Sequence, residues 1–144
     1  MPLNIVKLCV GAESVEDLEA WIRERLLMMA VAGEKPEQTH TTRMMPKRAA
    51  EIAGSGSLYW VIKGFVQARQ LITDIRQFKD VDGIERCDLV LEPVVVRTQM
   101  QPKRPFQGWR YLEDKDAPRD IRHGVVEGEI DPQMRKALAE LALL

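Results

Sequence analysis

The sequence predicts an α+β fold: a small, mixed, barrel-like β-sheet with flanking helices, one near each end of the chain. Three observations carry that expectation. The run from Gly56 to Arg69 (G-S-L-Y-W-V-I-K-G-F-V-Q-A-R) is the longest β-favouring stretch and holds one of the three tryptophans. Apolar residues at helical spacing follow Ser14. Asp131-Pro132 is a helix-start signal, with Asp131 as N-cap and Pro132 in the first helical position. The 144 residues read as a single domain over 1–144, with a C-terminal helix at about 131–143 as an appendage. A chain of this size removes roughly 68–70% of its unfolded surface from water without staples.

Each element has a local reason. Leu3 to Val10 alternates as a strand, with Ile5 or Val6, Leu8 and Val10 available to a core, and Gly11 ends it. Ser14 opens a helix, and Asp17 three residues on approximates a capping box. Val15, Leu18, Ile22, Leu26 and Met29 form its buried stripe, flanked by Trp21, and Gly33 terminates it. Thr39 to Met44 reads as a short extended segment and Pro46 to Ala53 as a short helix. Gly54-Ser55-Gly56-Ser57 then turns the chain into its central strand. There the even residues Leu58, Trp60, Ile62, Val66 and Ala68 face the core, and the odd ones form a mixed face. Gly64 is the natural place for a bulge or bend, which would reverse the alternation beyond it. Leu71 to Phe78 continues as strand, Asp82-Gly83 turns, and Ile84 to Leu91 returns antiparallel. Val94 to Arg97 is another short strand. Residues 98–110 read as a proline-bearing loop, and Asp114 to Gly124 as polar turns.

Composition narrows the function classes. Apolar content of 45% and charged content of 30% are ordinary for a globular protein. Cys9 and Cys87 stand far apart, which predicts reduced, buried thiols in a cytoplasmic protein. The first residues lack the basic region and apolar run of a signal peptide, and no run approaches the ~20 residues of a membrane span. The net charge of −1 conceals segregation. Residues 38–73 and 93–112 together hold nine bases and one acid, whereas the rest holds 12 bases and 21 acids. A basic functional face on an acidic body is one consequence to expect.

Catalytic and metal signals are sparse. His40 and His123 are the two histidines, and His40, beside Arg43, is the one candidate for general-base chemistry. There is no C-x-x-C, no H-x-x-x-H and no acidic calcium loop, so no metal or cofactor is expected. The Gly54–Ser57 stretch precedes a strand, where a phosphate loop must precede a helix. Lys103 to Tyr111 is more informative. It interleaves Lys103, Arg104 and Arg110 with Phe106, Trp109 and Tyr111. Cations meet phosphates there, and exposed rings stack on bases at roughly 1–3 kcal/mol each. The plain alternative is that Phe106 and Trp109 anchor a long loop to the core. The expected ligand-binding set is Arg43, Lys47, Arg48, Tyr59, Lys63, Arg104, Phe106, Trp109 and Arg110.

The blocks N-I-V-K-L-C-V-G, T-R-M-M-P-K-R-A, G-S-L-Y-W-V-I-K-G and R-P-F-Q-G-W-R-Y-L resemble an uncharacterised bacterial family, a domain of unknown function, across most of residues 3–115. That resemblance implies no activity. The order of short helix, Gly-Ser turn, Y-W-V-I-K-G strand and hairpin is similar in layout to PUA-like domains, including the ASCH and EVE groups. Those are small pseudo-barrels, several of which bind RNA or modified bases. The likeness is one of arrangement, so no residue is carried over from it. Together these readings point first to a nucleic-acid or nucleotide-binding module with an RNA or nucleotide partner. A small hydrolase acting on an anionic substrate through His40, or a structural, partner-binding protein, are the alternatives. Oligomeric state is left open.

Overall fold

The computed structural model of the chain describes residues 2–122 and 125–126. In chain order it runs β1 (Leu3–Leu8), α1 (Val15–Val31), β2 (Gln38–Thr42), α2 (Ala49–Ile52), β3 (Ser57–Ile62), β4 (Phe65–Lys79), β5 (Glu85–Leu91), β6 (Val96–Pro102) and β7 (Trp109–Glu113). A short 3₁₀ turn at Asp114–Asp116 follows, then β8 (Ile121–Arg122) and β9 (Val125–Val126). The anticipated C-terminal helix and His123 lie outside the described residues.

Seven strands form one mixed sheet in the order β2-β5-β4-β3-β1-β7, with β6 also paired to β4. β1 and β3 run parallel, and the other pairs in this sheet are antiparallel. The α+β class therefore holds, but the barrel-like closure expected from sequence is not formed. The reason lies in β4, which is 15 residues long. Its first half pairs with β3 and β6 and its second half with β5, so the ladder spreads along it and ends at β2 and β7. Beyond β7 the chain lies along β6 through the isolated bridge from Thr98 to Asp120, the Gln99 N–H to the Arg119 carbonyl at 2.7 Å, and the Gln101 amide to the Asp116 carbonyl at 3.0 Å.

The Gly56–Arg69 run is not one strand with a bend. It is a hairpin, because Lys63 and Gly64 both adopt positive φ, 50° and 82°. Two successive left-handed residues make the tight turn whose twist suits a two-residue hairpin. A second irregularity follows, since Trp60 pairs with Ala68 but Val61 pairs with Val66, leaving Gln67 bulged. The Gln67 amide then donates to the Ile62 carbonyl at 2.7 Å. The bulge reverses the alternation. Val66 joins Val6, Tyr59, Val61 and Leu112 on one face, while Ala68 joins Ile62 and Val15 on the other.

The helix-covered face carries the larger core, including Ile5, Leu18, Ile22, Ile52, Leu58, Trp60, Ile72 and Leu89. β3 is buried on both faces, so its odd residues Tyr59 and Val61 are core, not a mixed surface. At about 25 cal/mol per Å² of apolar surface removed from water, such a two-sided strand is the main stabilising element of the sheet. The helix α1 follows its sequence signals closely. The Ser14 hydroxyl accepts from the Asp17 N–H at 3.1 Å, and the Asp17 carboxylate accepts from the Glu13 N–H at 3.0 Å. At the other end Gly33, with φ of 79°, closes a Schellman motif in which the Glu34 N–H reaches the Met29 carbonyl at 2.9 Å.

Several boundaries differ from expectation. Val10 is 84% exposed, because the chain leaves the sheet at Leu8. The helix read from Pro46 to Ala53 is confined to Ala49–Ile52. Half of the stretch read as a loop over 98–110 is strand, since β6 continues to Pro102 and β7 begins at Trp109. Polar Thr98, Gln99 and Gln101 carry little β signal, and they are held by backbone pairing to β4 and to the 119–120 segment.

Candidate functional site

Among the described residues β7 is the end strand of the sheet and pairs only with β1. Strand alternation divides its side chains between the two sheet faces. Trp109 packs against the helix-side core, whereas Leu112 belongs to the opposite cluster. The Trp109 indole N–H donates to the Met44 carbonyl at 2.8 Å, and the Arg48 backbone N–H donates to the Tyr111 hydroxyl at 3.1 Å. These two bonds lay the basic segment 43–48 along β7. The rings of Trp109 and Tyr111 meet edge to face at 4.9 Å. Arg48 stands 5.7 Å from the Tyr111 ring centre but is committed to a bidentate pair with Glu51 at 2.7 and 2.8 Å. Arg43 and Lys47 are exposed and have no ion-pair partner among the described residues.

On the other side of the strand Phe106 packs against the second core and is flanked by Arg110 and Lys103, 5.3 and 5.6 Å from its ring centre. Arg110 also donates to the carbonyls of Gln107 and Trp109. Arg104 is exposed beside them. The Lys103 N–H reaches the Gly64 carbonyl at 2.9 Å, which ties this loop to the β3–β4 turn where Lys63 projects. Lys63 stands 3.9 Å from Glu13, a solvent-exposed pair of little energetic weight. The expected set therefore falls into two groups, Arg43, Lys47, Arg48 and Trp109 on one side of β7, and Lys63, Arg104, Phe106 and Arg110 on the other. Tyr59 joins neither. It is 5% exposed, and burial raises its phenol above the usual range. Phe106 and Trp109 are partly buried against the two cores, and Tyr111 is an exposed ring on this edge.

A second locus lies under α1. Lys7 is register-paired with Trp60 on β3 and with Trp109 on β7. Beside it a cavity of about 220 Å³ opens between α1 and the sheet, with Trp21, Trp60, Cys9, Lys7, Arg25 and His40 in its wall. Its Trp60 wall is rigidly held. The Trp60 indole N–H donates to the Gln70 carbonyl oxygen at 2.9 Å, and Gln70 exchanges amide bonds with Gln38 at 2.6 and 3.3 Å. The Gln70 amide also donates to the Glu92 carbonyl. Trp21 lies at the mouth because Gly11 has no side chain to meet it.

His40 sits edge-on to Trp60, ring centres 5.0 Å apart. Its Nε2 is buried and has no hydrogen-bond partner. Burial, and secondarily the Lys7 ammonium, push its pKa down to about 4 against an opposing pull from Asp88. The imidazole is therefore neutral at physiological pH. Burial likewise lifts the Cys9 thiol to about 11, so it is not a thiolate nucleophile. Lys7, Arg25, Gln38 and Gln70 are site residues that the sequence reading missed. The one available signal was Gln70, a polar residue in phase with buried apolar neighbours, and such residues carry a reason.

On the opposite face Arg69 makes a bidentate pair with Asp120 at 2.8 and 2.7 Å and donates to the Ser57 hydroxyl at 3.0 Å. This pins the chain beyond β7 across the sheet. Among the described residues no three His, Cys, Asp or Glu side chains gather as a metal site, and no helix is long and apolar enough to cross a membrane.

The model of the family described as "Protein of unknown function (DUF1489)" matches residues 5–144, and the chain belongs to that family. None of the curated proteins and none of the solved structures matches it.

Proposed function

We propose that this member of the family is a nucleic-acid or nucleotide-binding module, and that its ligand crosses the β7 edge. The observation that supports this best is the pair of hydrogen bonds from Trp109 to Met44 and from Arg48 to Tyr111. They bring two basic segments, 65 and 63 residues apart in sequence at those contacts, around one strand. Arg43, Lys47, Arg104 and Arg110 meet phosphates in this reading, with Lys63 and Lys103 at the far end and Tyr111 as the stacking ring.

The test is binding of a fluorescent single-stranded RNA across 50–200 mM salt. Each phosphate contact contributes a slope of roughly −0.7 in log K against log salt. Replacing Arg43, Lys47, Arg104 and Arg110 by Ala together flattens that slope by up to about 3. Affinity that is absent, or indifferent to salt, ends the proposal. No observation favours the hydrolase alternative comparably. His40 has no hydroxyl or carboxylate bonded to it among the described residues, and at a pKa of about 4 it is a weak base at neutral pH.

A further inference from the structure

The cavity under α1 has a chemistry separate from that of the β7 edge. Its wall contains two cations, Lys7 and Arg25, and no carboxylate. Neither cation has an ion-pair partner among the described residues. Lys7 is half-buried and Arg25 is exposed, and cations flanking an apolar wall favour an anion there. His40 belongs to the same wall, although its Nε2, the one buried side-chain polar atom among the described residues with no hydrogen-bond partner, is closed off from the cavity. The rest of the lining is largely apolar, led by two indoles, and Trp60 is locked by Gln70. These features converge on one occupant, a flat apolar body with a single anionic head.

From this convergence we infer that the cavity is a binding site for small planar organic carboxylates. The ring lies against Trp60, and Trp21 covers the mouth. The carboxylate meets Lys7 and the planar fork of Arg25, which matches a carboxylate's two oxygens. The edge-on His40 ring closes the wall beside Trp60. About 220 Å³ suits a one- or two-ring acid and is too small for a drug-sized molecule. The site does not depend on the nucleic-acid reading, because none of the phosphate-contacting residues proposed above lines it.

The experiment titrates the full chain with benzoate, indole-3-acetate, phenyl phosphate and benzamide. Tryptophan fluorescence and the ¹⁵N signal of the His40 ring are followed. One of the two carboxylates is expected to saturate a single site, at least tenfold more tightly than benzamide and phenyl phosphate, and to move the His40 ring nitrogens. Lys7→Met, which keeps the apolar stem, is expected to weaken that carboxylate at least tenfold. Arg25→Met, which removes the second cation and keeps an apolar stem, is expected to weaken it several-fold. Near-UV circular dichroism establishes that each variant is folded, and the wild-type His40 signal decides the matter if one is not. Equal binding of benzamide, a preference for phenyl phosphate, no saturable binding of either acid, or a His40 signal that stays still at saturation overturns the assignment.

Discussion

Gln38 and His40 stand two residues apart on β2, both beneath α1, yet their surroundings treat them oppositely. Gln38 closes a reciprocal amide pair with Gln70, and Gln70 also holds Trp60 and the Glu92 carbonyl. Every bond in that hub has a protein partner, so burial costs little and orientation is gained. His40 faces the cavity, and its Nε2 has none. The fold thus supports polar burial in one region and leaves it open in the next. The closed region builds a wall and the other leaves a buried polar atom unbonded among the described residues. The β7 edge makes a third case, with cations in solvent, where bonding is easily exchanged.

The sharpest way to break this contrast is to open the closed region. Gln70→Leu strands the Gln38 amide and the Trp60 N–H, and it is expected to cost about 3 kcal/mol. A urea midpoint measures it, and a loss below about 1 kcal/mol would show the hub to be incidental. Adding Gln38→Leu is expected to restore part of the loss, because removing both partners is cheaper than removing one.

The open region is tested by pH. His40 is taken from its ordinary value to about 4 in the folded chain. Above about pH 6.5 both states hold it neutral and it has no effect. As pH falls from there to about 4 the unfolded chain binds a proton that the folded chain refuses, so stability drops, by up to about 3 kcal/mol. Lys7 raises this penalty and Asp88 lowers it. In His40→Phe that component of the acid loss is expected to vanish. Unfolding curves for the two proteins that stay parallel from pH 7 to pH 4 would contradict a buried, neutral His40.

Gly11 probes the mouth. Its φ is 90°, and an added Cβ would come within 3.2 Å of the Trp21 ring. Gly11→Ala is expected to cost about 1–2 kcal/mol and to shift tryptophan emission as Trp21 is displaced. An unchanged spectrum would separate Trp21 from the cavity. The smallest effect belongs to the solvated edge. Arg43→Ala with Lys47→Ala is expected to leave stability within about 0.5 kcal/mol of wild type. A larger change in the thermal midpoint would mean that these cations are structural.

Much of the fold was legible in local chemistry. Ser14, Asp17 and Gly33 set both ends of α1 without help from the rest of the chain. Asp82-Gly83 turned β4 into β5, since Gly83 takes φ of 76°. The reversal at Lys63-Gly64 was not legible, because Lys is not a residue that favours positive φ. Only the pairing of β3 with β4 makes that conformation worth its strain. The strand β7 was read as a loop because prolines and glycine surround it, and its pairing partner β1 lies more than 100 residues earlier.

For the candidate sites the division is similar. Residue types alone announced the basic and aromatic segments 43–48 and 103–111. They did not say that Tyr59 is interior, which follows from β3 being covered on both faces, nor did they choose between stacking and anchoring for Phe106 and Trp109, which pack partly buried against the two cores. The cavity under α1 had little signature in the sequence beyond His40 and the in-phase Gln70. Its Lys7, Arg25 and His40 come from β1, α1 and β2, and each in isolation is an ordinary residue. Periodicity and capping are short-range, so the sequence by itself determined α1, the turn glycines and the apolar core of β3. Strand order, the bulge at Gln67 and the charge balance inside a cavity depend on long-range contacts. The tertiary structure alone decided those, because a side chain's burial and partners are set by residues far away in the chain.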